Sequence, residues 1–156
     1  MKQLFGLLFI LGYASIAFSE PTSPWGVATE SKGNYEPQKV LYDVTTNKID
    51  KLSNIINRVS YLNNLYKNDP FDSDIVIIIH GSSIPFFATQ SYQKYKNIID
   101  RAYNLTVGSN IEFRMCQASA KLQGFNPEDF HGFIKMVPMA DAEIIKLQQN
   151  GYAYMK

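Results

Sequence analysis

The 156-residue chain has one cysteine, Cys116. A single thiol cannot close an internal disulfide or supply a cysteine-rich zinc site. Histidine is nearly as scarce, with only His80 and His131, so a metal centre would have to be built mainly from carboxylates. An excess of charge is missing as well: 15 Lys and Arg against 14 Asp and Glu give a net charge of +1. A nucleic-acid binder needs a basic surface, and this balance argues against one. No glycine-rich phosphate cradle of the GxGxxG or GxxxxGKS/T type occurs. Val44-Thr45-Thr46-Asn47-Lys48 offers hydroxyls but no glycine, so nothing signals a flavin or nucleotide, and no cofactor is expected. Ser82-Ser83 lacks the flanking pattern of a nucleophile elbow, which argues against a serine hydrolase.

What is present describes a globular chain. At 46% hydrophobic and 19% charged residues, the composition is that of one compact domain with enough chain to bury a core. The one long apolar run is at the start. Lys2 precedes Leu4–Phe18, and Ala17-Phe18-Ser19 places small residues where signal peptidase reads. The run is shorter than the roughly 20 residues that cross a bilayer, so residues 1–19 read as a cleaved export signal. Its removal takes Lys2 and leaves 14 basic and 14 acidic residues. The expected location is outside the cytoplasm, periplasmic in a Gram-negative source, with no membrane association after cleavage. An unpaired thiol is unusual in such an oxidising compartment. Residues 20–37, with Pro21, Pro24, Gly26, Gly33 and Pro37, read as a polar arm.

From residue 38 the pattern is regular. Lys39–Val44 reads as a strand. Asn47 is placed to cap a helix whose apolar face is Ile49, Leu52, Ile55, Ile56, Val59 and Leu62, ended by Asn68-Asp69-Pro70. Ile75–Ile79 is five β-branched residues without alternation, a strand buried on both faces. A loop over 82–87 and a second helix over about 90–104 follow, the helix with Tyr92, Tyr95, Ile98, Ile99, Ala102 and Tyr103 on its apolar face. Ile111–Met115 is a third strand with Cys116 at its C-terminal end. A short helix runs over 117–123 and stops at Gly124, and Asn126-Pro127-Glu128-Asp129 starts another. A strand over 133–137, a helix over 140–149 and a strand over 152–155 complete the chain. The alternation predicts a three-layer α/β/α sandwich around a mostly parallel five-stranded sheet.

Ligands of such sheets meet the C-terminal ends of the strands. Cys116 stands at one of these ends, ahead of a helix, where backbone N–H groups favour a nucleophilic thiolate. It also fits a second role, as a small buried hydrophobe. His80 ends another strand and is placed either to exchange a proton with the sulfur or to bond a backbone carbonyl. His131 carries no assigned role. Asp69, Asp72 and Asp74 lie at the opposite edge of the sheet, as turn and cap residues.

The strand ending in His80-Gly81, Cys116 followed by Ala118, Ser119, Ala120 and Gly124, and the closing Val137-Pro138, Glu143-Ile144 and Leu147–Tyr152 together resemble the DsrE/DsrF-like family over roughly 38–155. The resemblance implies a compact α/β fold that assembles as trimers or hexamers. It also implies sulfur carried as a persulfide on Cys116, taken from a donor protein and passed to an acceptor. The alternative is an exported oligomeric binding module without catalysis, in which Cys116 is structural or senses redox state.

Overall fold

The computed structural model describes residues 24–66 and 73–156. The export signal expected over 1–19 lies outside the described residues, as do the Asn68-Asp69-Pro70 helix stop and Asp72. Residues 24–33 belong to a separate unit, a turn at Pro24 and Trp25 followed by chain without helix or strand. The second unit begins at Asn34.

That unit holds five strands, β1 (Gln38–Val44), β2 (Ser73–Ile79), β3 (Ile111–Cys116), β4 (Ile134–Val137) and β5 (Ala153–Met155). Four α-helices join them: α1 (Ile49–Leu65), α2 (Tyr92–Thr106), α3 (Gln117–Leu122) and α4 (Ala140–Gln149). The strands form one sheet in the order β4-β3-β2-β1-β5, with every pair parallel. The unbroken β-branched run Ile75–Ile79 of β2 occupies the centre, where both faces are covered.

Topology decides which face each helix covers. The steps from β1 to β2, β3 and β4 move one place each in a single direction. Right-handed crossovers therefore set α1, α2 and α3 on one face. There Leu52, Ile56 and Val59 of α1, Ile98 and Ile99 of α2 and Ala120 of α3 pack with Val44, Ile77 and Phe113 of the strands. The step from β4 to β5 runs back across the whole sheet, and the same handedness puts α4 on the opposite face. Ala140 and Leu147 of α4 pack there with Leu41, Val76, Ile78 and Cys116. The sandwich has the expected three layers, but they are unequal, because α4 is the only helix among the described residues on its side.

Charged groups complete that thinner layer. Arg114 of β3 lies 2.7 Å from Glu112 through Nη2 and donates from Nη1 to Glu143 of α4. Lys135 of β4 also reaches Glu112, and Lys146 lies 3.7 Å from Glu143. The guanidinium fork thus links the middle of the sheet to α4.

Four local expectations change. Lys48, not Asn47, holds the cap position of α1, and the Thr46 hydroxyl accepts from its N–H at 3.1 Å. The 82–87 loop is a 3₁₀ segment, Gly81–Phe87, in which Ser83, Ile84, Phe86 and Phe87 are buried and the two phenylalanines belong to the core. The helix start at Asn126 yields one 3₁₀ turn, Pro127–Asp129. Phe130 is drawn into extended conformation by its bridge to Ala88, which ends that turn. Tyr103 is 52% exposed, because it lies about 100° round the helix from Ala102, the buried residue before it.

The Glu112 carboxyl is held below the usual glutamate value. Burial opposes this, but the hydrogen bonds from Lys135 and Arg114 outweigh it. A lowered folded value means the stabilisation is complete above the ordinary glutamate range and disappears as pH falls through the folded value. Glu112→Gln should therefore be less stable than wild type near pH 7, by up to about 1 kcal/mol for a half-exposed pair. The gap should close in acid, as measured by urea unfolding across pH.

Candidate functional site

The C-terminal edge of the sheet gathers the polar strand ends. Ile79 pairs with Met115 in the β2–β3 register, so His80 and Cys116 follow side by side on neighbouring strands. Strand alternation turns both toward the α4 face. Asp43, one residue before the end of β1, shares that face.

Cys116 is both the last residue of β3 and the cap of α3. Its Sγ accepts from the Ser119 backbone N–H at 3.4 Å, filling the place that a serine or aspartate oxygen takes at other helix starts. It also accepts from the Ala140 N–H, the first residue of α4, at 3.3 Å. The beginnings of two helices on opposite faces thus meet at one sulfur. The adjacent strands β3 and β4 send their chains to opposite faces, which makes this the switch point where open α/β sheets hold ligands. The Ala118 N–H donates to the Pro138 carbonyl at 3.2 Å and fastens the two helix starts together. Cys116 is only 3% exposed.

His80 is also positioned, but by a side chain. Its Nε2–H donates to Asp43 Oδ1 at 2.6 Å, since an ionised carboxylate only accepts. The second carboxylate oxygen accepts from the Tyr154 hydroxyl of β5. That hydrogen bond, with some burial and the nearby negative charge, pushes the Tyr154 phenol up to about 12. The imidazole therefore turns toward β1, while the sulfur turns to the helix starts. The structure sets the two predicted residues on one edge and one face without bonding them to each other.

The turn after β2 demands its glycine. Gly81 has φ +53°, and a Cβ there would stand 2.6 Å from Thr45 Oγ1. Ser83 is fully buried; its Oγ accepts from the Thr46 N–H at 2.6 Å and donates to the Thr46 carbonyl at 3.0 Å. Gln123 Nε2 donates to the Gly81 carbonyl at 2.8 Å and joins α3 to the same turn. Thr45-Thr46 and Gly81–Ser83 are thus occupied in fixing strand ends. Among the described residues no group of three or more His, Cys, Asp and Glu is placed to hold a metal ion, and no helix is long and apolar enough to cross a membrane.

Comparison with known proteins adds the family. The model of the DsrE/DsrF-like family matches residues 38–156. The chain belongs to that family. No curated protein matches it by sequence. Among solved structures, a protein of unknown function from Methanobacterium thermoautotrophicum is similar, with a TM-score of 0.56 and 14% identity over 76% of this chain and 97% of that one. At that identity the likeness concerns the fold. Within this DsrE/DsrF-like domain, sequence reasoning singled out Cys116 and His80 but missed Asp43 and Tyr154. The available signal was alternation: Asp43 is the one acid in β1, on the same face as the buried Leu41.

Two outcomes test the geometry. Gly81→Ala should lose about 1–3 kcal/mol in denaturant unfolding, from the left-handed φ and the contact with Thr45. Asp43→Asn should return the Tyr154 phenol toward the ordinary value of about 10, seen as an additional tyrosine ionising by pH 11 in an absorbance titration.

Proposed function

We propose that this DsrE/DsrF-like chain is a cysteine-dependent sulfur carrier that holds a persulfide on Cys116. The observation that carries the reading is the convergence of two backbone N–H groups on Sγ at the switch point of a parallel sheet. Donors fixed in this way stabilise negative charge on the atom they face. Association of the family with sulfur relay supports the same residue.

In the proposed exchange, the Cys116 thiolate attacks the outer sulfur of a donor persulfide, R–S–SH. The new Cys116 S–S bond forms, the donor S–S bond breaks, and R–S⁻ leaves with the electron pair. An acceptor thiolate then attacks the outer sulfur of Cys116–S–SH and releases the Cys116 thiolate, so one sulfane sulfur moves with no net oxidation. His80, oriented by Asp43, serves as the group that exchanges a proton with the departing thiolate. The reading includes protein donors and acceptors, export guided by residues 1–19, and a trimeric or hexameric assembly of this chain. The leader pattern supports the export and the family likeness supports the assembly.

One observation favours a second reading. The burial of Cys116 suits a packed thiol in a non-catalytic binding module. Intact mass measured after incubation with polysulfide or thiosulfate separates the two. The carrier gains one sulfur atom per chain, removed by dithiothreitol and absent in Cys116→Ser. If no donor gives an adduct and iodoacetamide leaves the folded thiol untouched, the binding-module reading replaces it.

A further inference from the structure

A cavity of about 220 Å³ lies between α1 and α2, on the face opposite the one that Cys116 shares with α4. Ile56, Ser60, Arg101, Asn104 and Leu105 line it. Its volume is below the roughly 300–1,000 Å³ of drug-sized sites, so only a small molecule has room there.

Arg101 is the one charged residue of the lining. Its Nη1 donates to Ser53 Oγ at 3.3 Å and its Nη2 to Asn57 Oδ1, both on α1. Two of the five guanidinium N–H groups are thereby used, and the rest remain free to donate. No carboxylate among the described residues pairs with Arg101, since every ion pair there belongs to another cation. Asp100, its neighbour in the chain, is taken by Lys96 and by the Tyr92 hydroxyl. The guanidinium is thus fixed in place by neutral oxygens while its charge stays uncompensated. It is also partly exposed, so a ligand in the cavity can reach it.

The rest of the lining narrows the choice. The Ser60 hydroxyl and the Asn104 amide make no side-chain hydrogen bond among the described residues, and both can donate. The last carbonyls of α2 are already occupied: Tyr103 accepts from the Thr106 hydroxyl at 2.7 Å, Asn104 from the Val107 N–H at 3.3 Å, and Leu105 from the Ser109 hydroxyl. The negative end of that helix is therefore capped and does not oppose an anion. An arginine fork matches the two oxygens of a carboxylate. One guanidinium balances one negative charge, and no lysine lines the cavity to balance a second. Ile56 and Leu105 supply apolar wall for a short chain. We infer that the cavity binds a small aliphatic monocarboxylate, with its carboxylate on Arg101, Ser60 and Asn104 and its hydrocarbon against Ile56 and Leu105. The site is independent of Cys116 and operates whether or not the thiol carries sulfur.

Butyrate is a suitable probe, followed by ¹H–¹⁵N chemical-shift titration of the purified chain at constant ionic strength. It should bind saturably, with a Kd on the order of 1 mM for so few atoms, and shift amides of Arg101–Leu105. Butyramide, which lacks the charge, should bind at least about 10-fold more weakly. Acetate, two methylenes shorter, should bind about 3–10-fold more weakly. Asn104 is exposed and its side chain bonds nothing, so Asn104→Asp should fold normally by circular dichroism. Its new carboxylate, one turn from Arg101 on α2, should occupy the guanidinium and abolish butyrate binding. Arg101→Met should erase the preference for butyrate over butyramide. The inference is overturned by no saturable binding to the folded chain, by butyramide binding as tightly as butyrate, or by binding that survives in Asn104→Asp. It is also overturned if sulfate or acetate matches butyrate, since the groove would then offer a bare charge and no seat for the chain.

Discussion

The arrangement depends on the reversal of chain direction between β3 and β4. Up to β4 the strands are laid down in one direction, and each connection folds over the same face. After β4 the chain has no further neighbour to add on that side and returns across the sheet to pair β5 with β1. A right-handed return of that length must cross the other face. The helix that makes it, α4, therefore starts beside the start of α3 but on the opposite side of the sheet. Cys116 ends β3 between them, and its sulfur accepts one N–H from each. The site follows from topology, with no contribution needed from a long loop or a bound group.

The same reversal leaves the two faces unequal. Three helices and the Gly81–Phe87 segment cover one of them. α4, with its ten residues, covers the other and is supplemented by Arg114, Glu112, Glu143 and Lys135. Pairs of this kind contribute little stability when solvent reaches them. Their value is positional, since they hold α4 in register over β3 and keep the Ala140 N–H on the sulfur. The Asp43–His80–Tyr154 chain does the same at the β1 and β5 side of the edge. The thicker face also carries the ring contacts in which α2 sets Tyr92 against His131 and Tyr103 against Phe133.

Much of this was legible from residue pattern. A short β-branched run without alternation favours a strand covered on both sides, and β2 is that strand. The helix α1 follows apolar spacing closely, because Leu52, Ile56 and Val59 form one buried face; α4 follows it less well, since Glu143 is buried while Ile145 is exposed. Local rules failed where a neighbour distant in sequence outweighed them. Asn126-Pro127 opens a helix, but the bridge of Phe130 to Ala88 pulls the chain straight after one turn. Residues 82–87 carry a proline and two serines, as a loop would, yet Ser83 and Phe87 are fully buried under tertiary packing. His131 has no pattern of its own, and its ring neighbours are Phe133, close by in sequence, and Tyr92 of the distant helix α2.

The sequence alone determined the class of fold and the position of Cys116 at a strand end before a helix. Both depend on short-range periodicity and on chain order, which a linear string records. Tertiary structure alone decided that the sulfur is buried, that two helix starts share it, and that His80 turns to Asp43 instead. Those facts depend on strand order and on which face each crossover takes, and these become fixed only when segments far apart in the chain pack against each other.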